Sequence, residues 1–227
     1  MVRFFYFSMR NFFKSIQWRD HLINFIVVVV GVTLAFYLSN RKASSDQRAL
    51  ELSSLRSIVS DLESDIADLK GSTDTLKVMK DQLEQAVNTI MSGQSLENPG
   101  QSIGVLYVQL PFIPNDNTYQ SLLTSGKLDV IEDFEIRKQI TDLYHSHYQT
   151  IKIIDELSSA QKNTLVFPYL MNVNPLDLKS VDVKEPAFIN ANLFTLYYLT
   201  QKLDYDKKAL EKAIALKGSI ERKLSEE

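Results

Sequence analysis

Cysteine is absent from this chain. Its absence excludes disulfides, thiolate catalysis, iron–sulfur clusters and cysteine-bound zinc. Glycine is scarce, at seven residues. Strand-and-turn folds usually need more, so the expectation moves toward helices. Neither sign of charge dominates: 25 basic residues face 28 acidic ones, a net charge of −3. That balance gives no electrostatic case for nucleic acid, whose binders carry a basic face. Missing as well are a P-loop and a G-x-G-x-x-G turn.

Histidine is also rare, with three residues. His145 and His147 are two apart, about 200° around a helix, so their rings point to different faces. Metal pairs on helices use spacings of three or four, and a site needs three or four converging ligands. No metal, cofactor or catalytic residue is therefore expected. Asp61, Glu63, Asp65 and Asp68 read as a solvated helix face, because charged residues rarely bury unpaired.

What the chain does have is a long apolar run. Leu22 to Leu38 reads LINFIVVVVGVTLAFYL with no charge. With its flanks it reaches about 20 residues, or roughly 30 Å of helix, the thickness of a bilayer's hydrocarbon core. Backbone groups in lipid must bond internally, so the segment is expected to be helical. Upstream, Arg3, Arg10, Lys14 and Arg19 mix with Phe4, Phe5, Tyr6, Phe7, Phe12, Phe13 and Trp18. Basic and aromatic residues together suit the headgroup layer, so 3–19 reads as a short interfacial helix. The run is longer than a signal peptide's core and is followed by SNRKASS without a convincing cleavage site. The phenylalanine content argues against a presequence. Gly31, Ala35 and Ser39 form a small-xxx-small face on which another helix can pack closely. Basic residues tie across the span, with Arg41, Lys42, Arg48 and Arg56 following it. We expect residues 1–20 inside as a tail, 21–40 in the bilayer and 41–227 outside.

From Leu52 the apolar residues step by three and four, a heptad repeat. Position a holds Leu52, Val59, Ile66, Thr73, Lys80 and Val87. Position d holds Leu55, Leu62, Leu69, Leu76, Leu83 and Ile90. The candidate seam is Leu55, Val59, Leu62, Ile66, Leu69, Leu76 and Leu83. Branched residues at a with leucine at d favour a two-stranded coil, hence a homodimer. Ile58, Met79 and Ala86 at g instead widen the stripe toward a bundle helix. Both readings stay open from sequence.

The rest of the chain reads as helices about 46–92, 118–125, 134–165 and 187–225. Residues 93–117 are expected to be a loop in which Ile103 to Phe112 lie extended, with Asn117 as an N-cap backed by Gln120. Gly126 closes the short helix, Asp133 caps the next, and Pro186 starts the last. The stripe of the 134–165 helix is Ile136, Ile140, Leu143, His147, Ile151, Ile154 and Leu157. Pro168 and Pro175 are expected to end it, with a loop over 168–185, and the last helix has a potential break near Asp204. The fold class is mainly α: an N-terminal transmembrane helix continuing toward a long heptad-patterned helix, then an elongated antiparallel bundle.

The run VVVVGVTLAFYLSNRK, the charged helix behind it and the pattern of Tyr119, Leu122, Gly126 and Leu128 resemble an uncharacterised bacterial family of single-pass membrane proteins. Where that family often has Trp after its Asn, this chain has Arg41. The resemblance implies a bacterial inner-membrane protein with an N-terminal anchor and a helical domain of unknown function, and it carries over no catalytic residue. Tyr119, Ser125 and Gly126 are weak pocket candidates, against the plainer reading of Gly126 as a helix cap. The function expected from sequence is a membrane-anchored, non-enzymatic interaction or scaffold module with the bilayer and a protein partner. A ligand-sensing bundle acting through a partner, and an enzyme with an unrecognised site, are the alternatives.

Overall fold

The computed structural model describes residues 18–226. The interfacial helix expected over 3–19 lies, but for its last two residues, outside the described residues. Helix α1 spans Trp18–Met91, and the chain divides after Ala49 into two units.

In the first unit, the apolar run lies bare of protein. Phe25, Val27 and Phe36 are all more than 60% exposed, and the run is long and apolar enough to cross a membrane. Thr33 donates its hydroxyl to the Val29 carbonyl at 2.7 Å, so the one aliphatic hydroxyl within the run bonds inside the helix.

The second unit is a helical bundle of three long rods. They are the α1 portion from Leu50, a rod built of α4 (Phe134–Asp142), α5 (Tyr148–Gln161) and α6 (Phe167–Leu170), and α7 (Pro186–Ser225). At one end Leu55 packs in the cluster holding Ile136 and Ile220; at the other, Ile90 joins Val166, Leu170 and Phe188. α1 and the α4–α6 rod therefore run parallel, and α7 runs antiparallel to both. The polypeptide between the first two rods must return along the bundle.

Burial explains which face of α1 turns inward. Leu55, Leu62, Leu69, Leu76 and Leu83 are fully buried, and Ile58, Met79 and Ala86 at g join them. At a, Val59 and Ile66 are only partly buried. The inward face is thus centred on d and g, the broad stripe of a bundle helix. Ala209 and Ala213 on α7, with no exposed surface, let that helix approach closely.

The return segment departs from the expected loop. Helix α2 occupies Pro99–Tyr107. Pro99 starts it, since a first-turn residue has no N–H to lose, and Ile103, Val105 and Leu106 give it a buried face. Gly100 sits against Leu178: a β-carbon there would come within 3.1 Å of Leu178 Cδ1. Residues 92–98 and 108–116 are the irregular or extended parts of this segment. Helix α3 spans Asn117–Thr124, so Asp116 rather than Asn117 stands at its N-cap, and Gln120 Nε2 donates to Asp116 Oδ2 at 3.0 Å. Its end is as expected: Gly126 takes φ +67°. Lys127 N–H bonds Leu122 C=O and Gly126 N–H bonds Leu123 C=O, the paired bonds of a Schellman cap.

Asp133 accepts the Ile136 N–H at 3.0 Å and starts α4, as its position predicts. Two π-turns, Leu143–His147 and Lys162–Val166, interrupt the rod. The second explains why Pro168 does not end it, contrary to expectation. A proline costs least where a wide turn has already broken the α-helical hydrogen-bond ladder. α7 runs unbroken through Asp204, which is exposed and pairs with Lys208 at 2.6 Å.

Candidate functional site

Residues 108–116 form a strap with no strand beside it, so its main-chain polar groups need other partners. Buried side chains supply them. Lys162 Nζ donates to the Val108 carbonyl. Asp155 Oδ2 accepts the Phe112 N–H at 3.0 Å. Asp65 Oδ1 accepts the Asn115 N–H at 2.8 Å and the Asn115 amide at 3.0 Å. Tyr144 donates to the Asn115 carbonyl at 3.4 Å. Pro111 and Pro114 have no N–H to satisfy.

Asp65 thereby corrects the reading of a solvated acidic face: it has no exposed surface. It shares heptad position g with Ile58 and Met79, so it points into the bundle, and the strap brings it donors. Burial pushes its carboxyl above the usual carboxylate range, against the lowering effect of the Asn115 bonds; neighbouring Asp61 adds to the rise. The second oxygens of Asp61 and Asp65 and the Tyr148 hydroxyl are buried without a hydrogen-bond partner. Burial, then the Asp65 charge, holds the Tyr144 and Tyr148 hydroxyls protonated well above the usual phenol range.

Beside this lies a second polar group. Lys202 pairs with Asp155 at 2.9 Å and with Asp206, one turn on, at 3.4 Å. Ser72 donates to Asp206 at 2.8 Å. Burial raises the Asp206 carboxyl, and Lys202 and Ser72 oppose the rise. Lys162 is different. It is 6% exposed, its one hydrogen bond goes to Val108, and no carboxylate pairs with it. Burial alone pushes its ammonium down to about 8.

Between the strap and α5 runs a groove of about 690 Å³, within the range of small-ligand sites. Its apolar wall is Pro111, Phe112, Pro114, Tyr144 and Tyr148; Lys152, Glu156 and Asn163 lie among its polar lining. The wall is stiffened by ring contacts: Phe112 meets Tyr148 at 5.0 Å, Tyr148 meets Tyr144 at 5.2 Å, and Tyr144 stacks on Tyr119 at 4.8 Å. Under the strap lies a smaller pocket of about 40 Å³, which reaches Lys162, Thr195 and Lys202. Pro111, Asp155 and Ser159 line both.

The π-turns flank α5, the helix that carries the groove. Tyr148 N–H bonds the Leu143 carbonyl five residues back. Tyr148 is buried there instead of the expected His147, which turns toward Asp142 at 3.5 Å. Leu157, expected in the stripe, is 49% exposed. His145 is exposed. Among the described residues, no three potential metal ligands come together.

The residues singled out from sequence fall in different places. Leu55, Leu62, Leu69, Leu76 and Leu83 lie in the chain's own core, with Val59 and Ile66 packed at its edge. A homodimer through those leucines requires the bundle to open. Gly31, Ala35 and Ser39 are exposed in the first unit. Tyr119 is buried in the aromatic stack, Ser125 is exposed and donates to Ser121 C=O, and Gly126 caps its helix. These three do not converge, and none lines either cleft. Sequence reading missed Asp65, Asp155, Lys162, Lys202 and Asp206. The signal was there: each is a charge falling on an apolar stripe.

The chain matches a family of unknown function (DUF6090) over residues 24–202, and it belongs to that family. The matched span takes in the strap, both clefts and the side chains that pin the strap. No curated protein and no solved structure matches the chain.

Proposed function

We propose that this protein is a membrane-anchored, non-enzymatic binding module whose helical domain receives a ligand in the groove between the strap and α5. The groove is the observation that carries the reading. It is of ligand size, has an aromatic wall and is built from groups held in place by ring contacts and part-buried hydrogen bonds. The bare apolar run of α1 supports a bilayer anchor, because none of the described residues covers it. In this reading the N-terminal tail is cytoplasmic, the domain is extracytoplasmic and the membrane is the bacterial inner membrane.

A sensing role, passed on through a partner protein, is the second reading. The strap favours it. Residues 108–116 form one wall of the groove and are pinned by single side chains rather than by a sheet, so an occupant acts directly on a segment of modest local stability.

The test uses the full chain in lipid nanodiscs and 4-phenyl-1-butanol, a probe with an aromatic body and an uncharged end. Transferred-NOE spectra are expected to show it bound, and Ala160→Trp, which fills the groove from an exposed α5 position, abolishes the signal. Binding that survives in the variant, or no binding at all, overturns the groove.

A further inference from the structure

Lys162 is a cation taken out of water with no carboxylate paired to it among the described residues. An ammonium carries three N–H donors, and among the described residues only the Val108 carbonyl accepts one. A buried charge is costly unless it is paired. Asp155 and Lys202 share the pocket but are engaged with each other, and Asp155 also holds the Phe112 N–H. Asp206 lies behind Lys202 and is engaged by Ser72.

The pocket in front of Lys162 holds further unused donors. Thr195 is 3% exposed and its hydroxyl has no hydrogen-bond partner. Ser158 and Ser159 also line the space. Together these groups offer N–H and O–H donors around an ammonium that no carboxylate pairs with directly. The volume limits what they take. At roughly 10–15 Å³ per water on this measure, a 40 Å³ pocket holds about three water-sized atoms. A carboxylate has three heavy atoms, whereas a phosphate has five. Pro111, with Asp155 and Ser159, joins this pocket to the groove.

We infer that the inner pocket receives a carboxylate, held by Lys162 Nζ and Thr195 Oγ1, at the end of an apolar or aromatic chain that lies in the groove. This rests on the groove being the binding site. Such a carboxylate belongs either to a small free acid or to the C-terminus of a polypeptide; both present the same group.

The experiment measures affinity for the full chain in nanodiscs with four probes. These are 4-phenylbutyrate, 4-phenyl-1-butanol, the peptide Gly-Gly-Leu-Phe with a free carboxylate, and the same peptide as its amide. The acid is expected to bind about 10–100-fold more tightly than the alcohol, the range for a charge-assisted hydrogen bond. Lys162→Met removes that preference, so that the acid and the alcohol bind alike. Thr195→Val, nearly the same shape, lowers acid affinity about 3–10-fold, as loss of a neutral hydrogen bond does. Lys162→Arg keeps the charge and retains a preference for the acid. The peptide pair decides the source: a free-carboxylate peptide that outcompetes 4-phenylbutyrate marks a C-terminus, and the reverse marks a small acid. Equal binding of acid and alcohol, both abolished by Ala160→Trp, overturns the carboxylate while the groove stands. If no probe binds, both fall.

Discussion

Asp65 Oδ1 lies 2.8 Å from the main-chain nitrogen of Asn115, fifty residues on, and 3.0 Å from its side-chain amide. One carboxylate oxygen on α1 thus anchors the C-terminal end of the strap twice. Removing it leaves two donors of a part-buried residue without an acceptor. Asp65→Ala is expected to destabilise the domain by about 2–3 kcal/mol, the cost of orphaned donors. Asp65→Asn, which keeps one acceptor oxygen and loses the buried charge, is expected to cost less than half of that. Urea midpoints of the full chain in detergent, followed by far-ultraviolet dichroism, check both. Equal losses in the two variants contradict an anchoring role.

The rods were legible because their stripes are long. Leu55 to Leu83 repeat every seven residues, and that period has only one inward face. The widening at g by Ile58, Met79 and Ala86 already pointed to a bundle. The strap anchors were not legible in the same way. Asp65, Asp155 and Lys162 stand out as charges on apolar stripes, but the backbone groups they bond arrive from a segment far away in sequence. The π-turns were hidden for a related reason: each shifts the stripe by one residue, and no residue type marks it. Helix α2 was masked by Pro99, Gly100 and Gly104, which read as breakers although Pro99 is a start.

The first π-turn is open to a direct comparison of neighbours. Tyr148 is 3% exposed and meets both Phe112 and Tyr144 edge-on. Tyr148→Ala is expected to cost about 3–5 kcal/mol, as large aromatic truncations in cores do. His147→Ala removes a partly exposed contact to Asp142 and is expected to cost under about 1 kcal/mol. Thermal unfolding of the two variants side by side decides it. A regular helix with His147 on the inward stripe predicts a substantial cost at His147 as well.

Two glycines give effects of opposite sign. Gly71 lies inside α1 with open space where a β-carbon goes. Gly71→Ala is expected to stabilise by about 1 kcal/mol, the difference in helix propensity. Gly126 also has open space but takes φ +67°. There Gly126→Ala is expected to destabilise by about 1 kcal/mol through backbone strain alone. Melting temperatures that move in the same direction for both variants contradict one of the two helix assignments.

The absence of native cysteine makes topology measurable with a single introduced thiol. Met91, at the end of α1, is 70% exposed. Met91→Cys is expected to react with a membrane-impermeant maleimide in intact bacterial cells whose outer membrane has been made permeable. Labelling that appears only after the inner membrane is broken places the domain in the cytoplasm instead.

Lys162 gives the pH dependence. Burial lowers its proton affinity to about 8 in the folded chain, against an ordinary lysine value of about 10.4 in the unfolded chain. Below about pH 8 both states hold the proton, and the folded state bears the full cost of a buried charge. Between about 8 and 10 the unfolded state holds more protons than the folded one, so stability rises with pH. Groups facing the same pocket are Asp155, Lys202 and Tyr198, with Asp206 behind them. The raised carboxyl of Asp206 acts on the acid side. Buried Tyr144 and Tyr148 act oppositely above about pH 10, where unfolded tyrosines ionise and folded ones do not. The useful range is therefore about pH 7 to 9.5. Across it the wild-type chain is expected to gain on the order of 1–2 kcal/mol relative to Lys162→Met, which cannot titrate. At pH 7, without ligand, the methionine variant is expected to be the more stable by about 1 kcal/mol, because relief of the buried charge outweighs the bond lost at Val108. Urea midpoints of both chains at half-unit pH steps give the difference directly. Parallel curves from pH 7 to 9.5 show that Lys162 keeps an ordinary proton affinity, and the unpaired buried cation is then wrong.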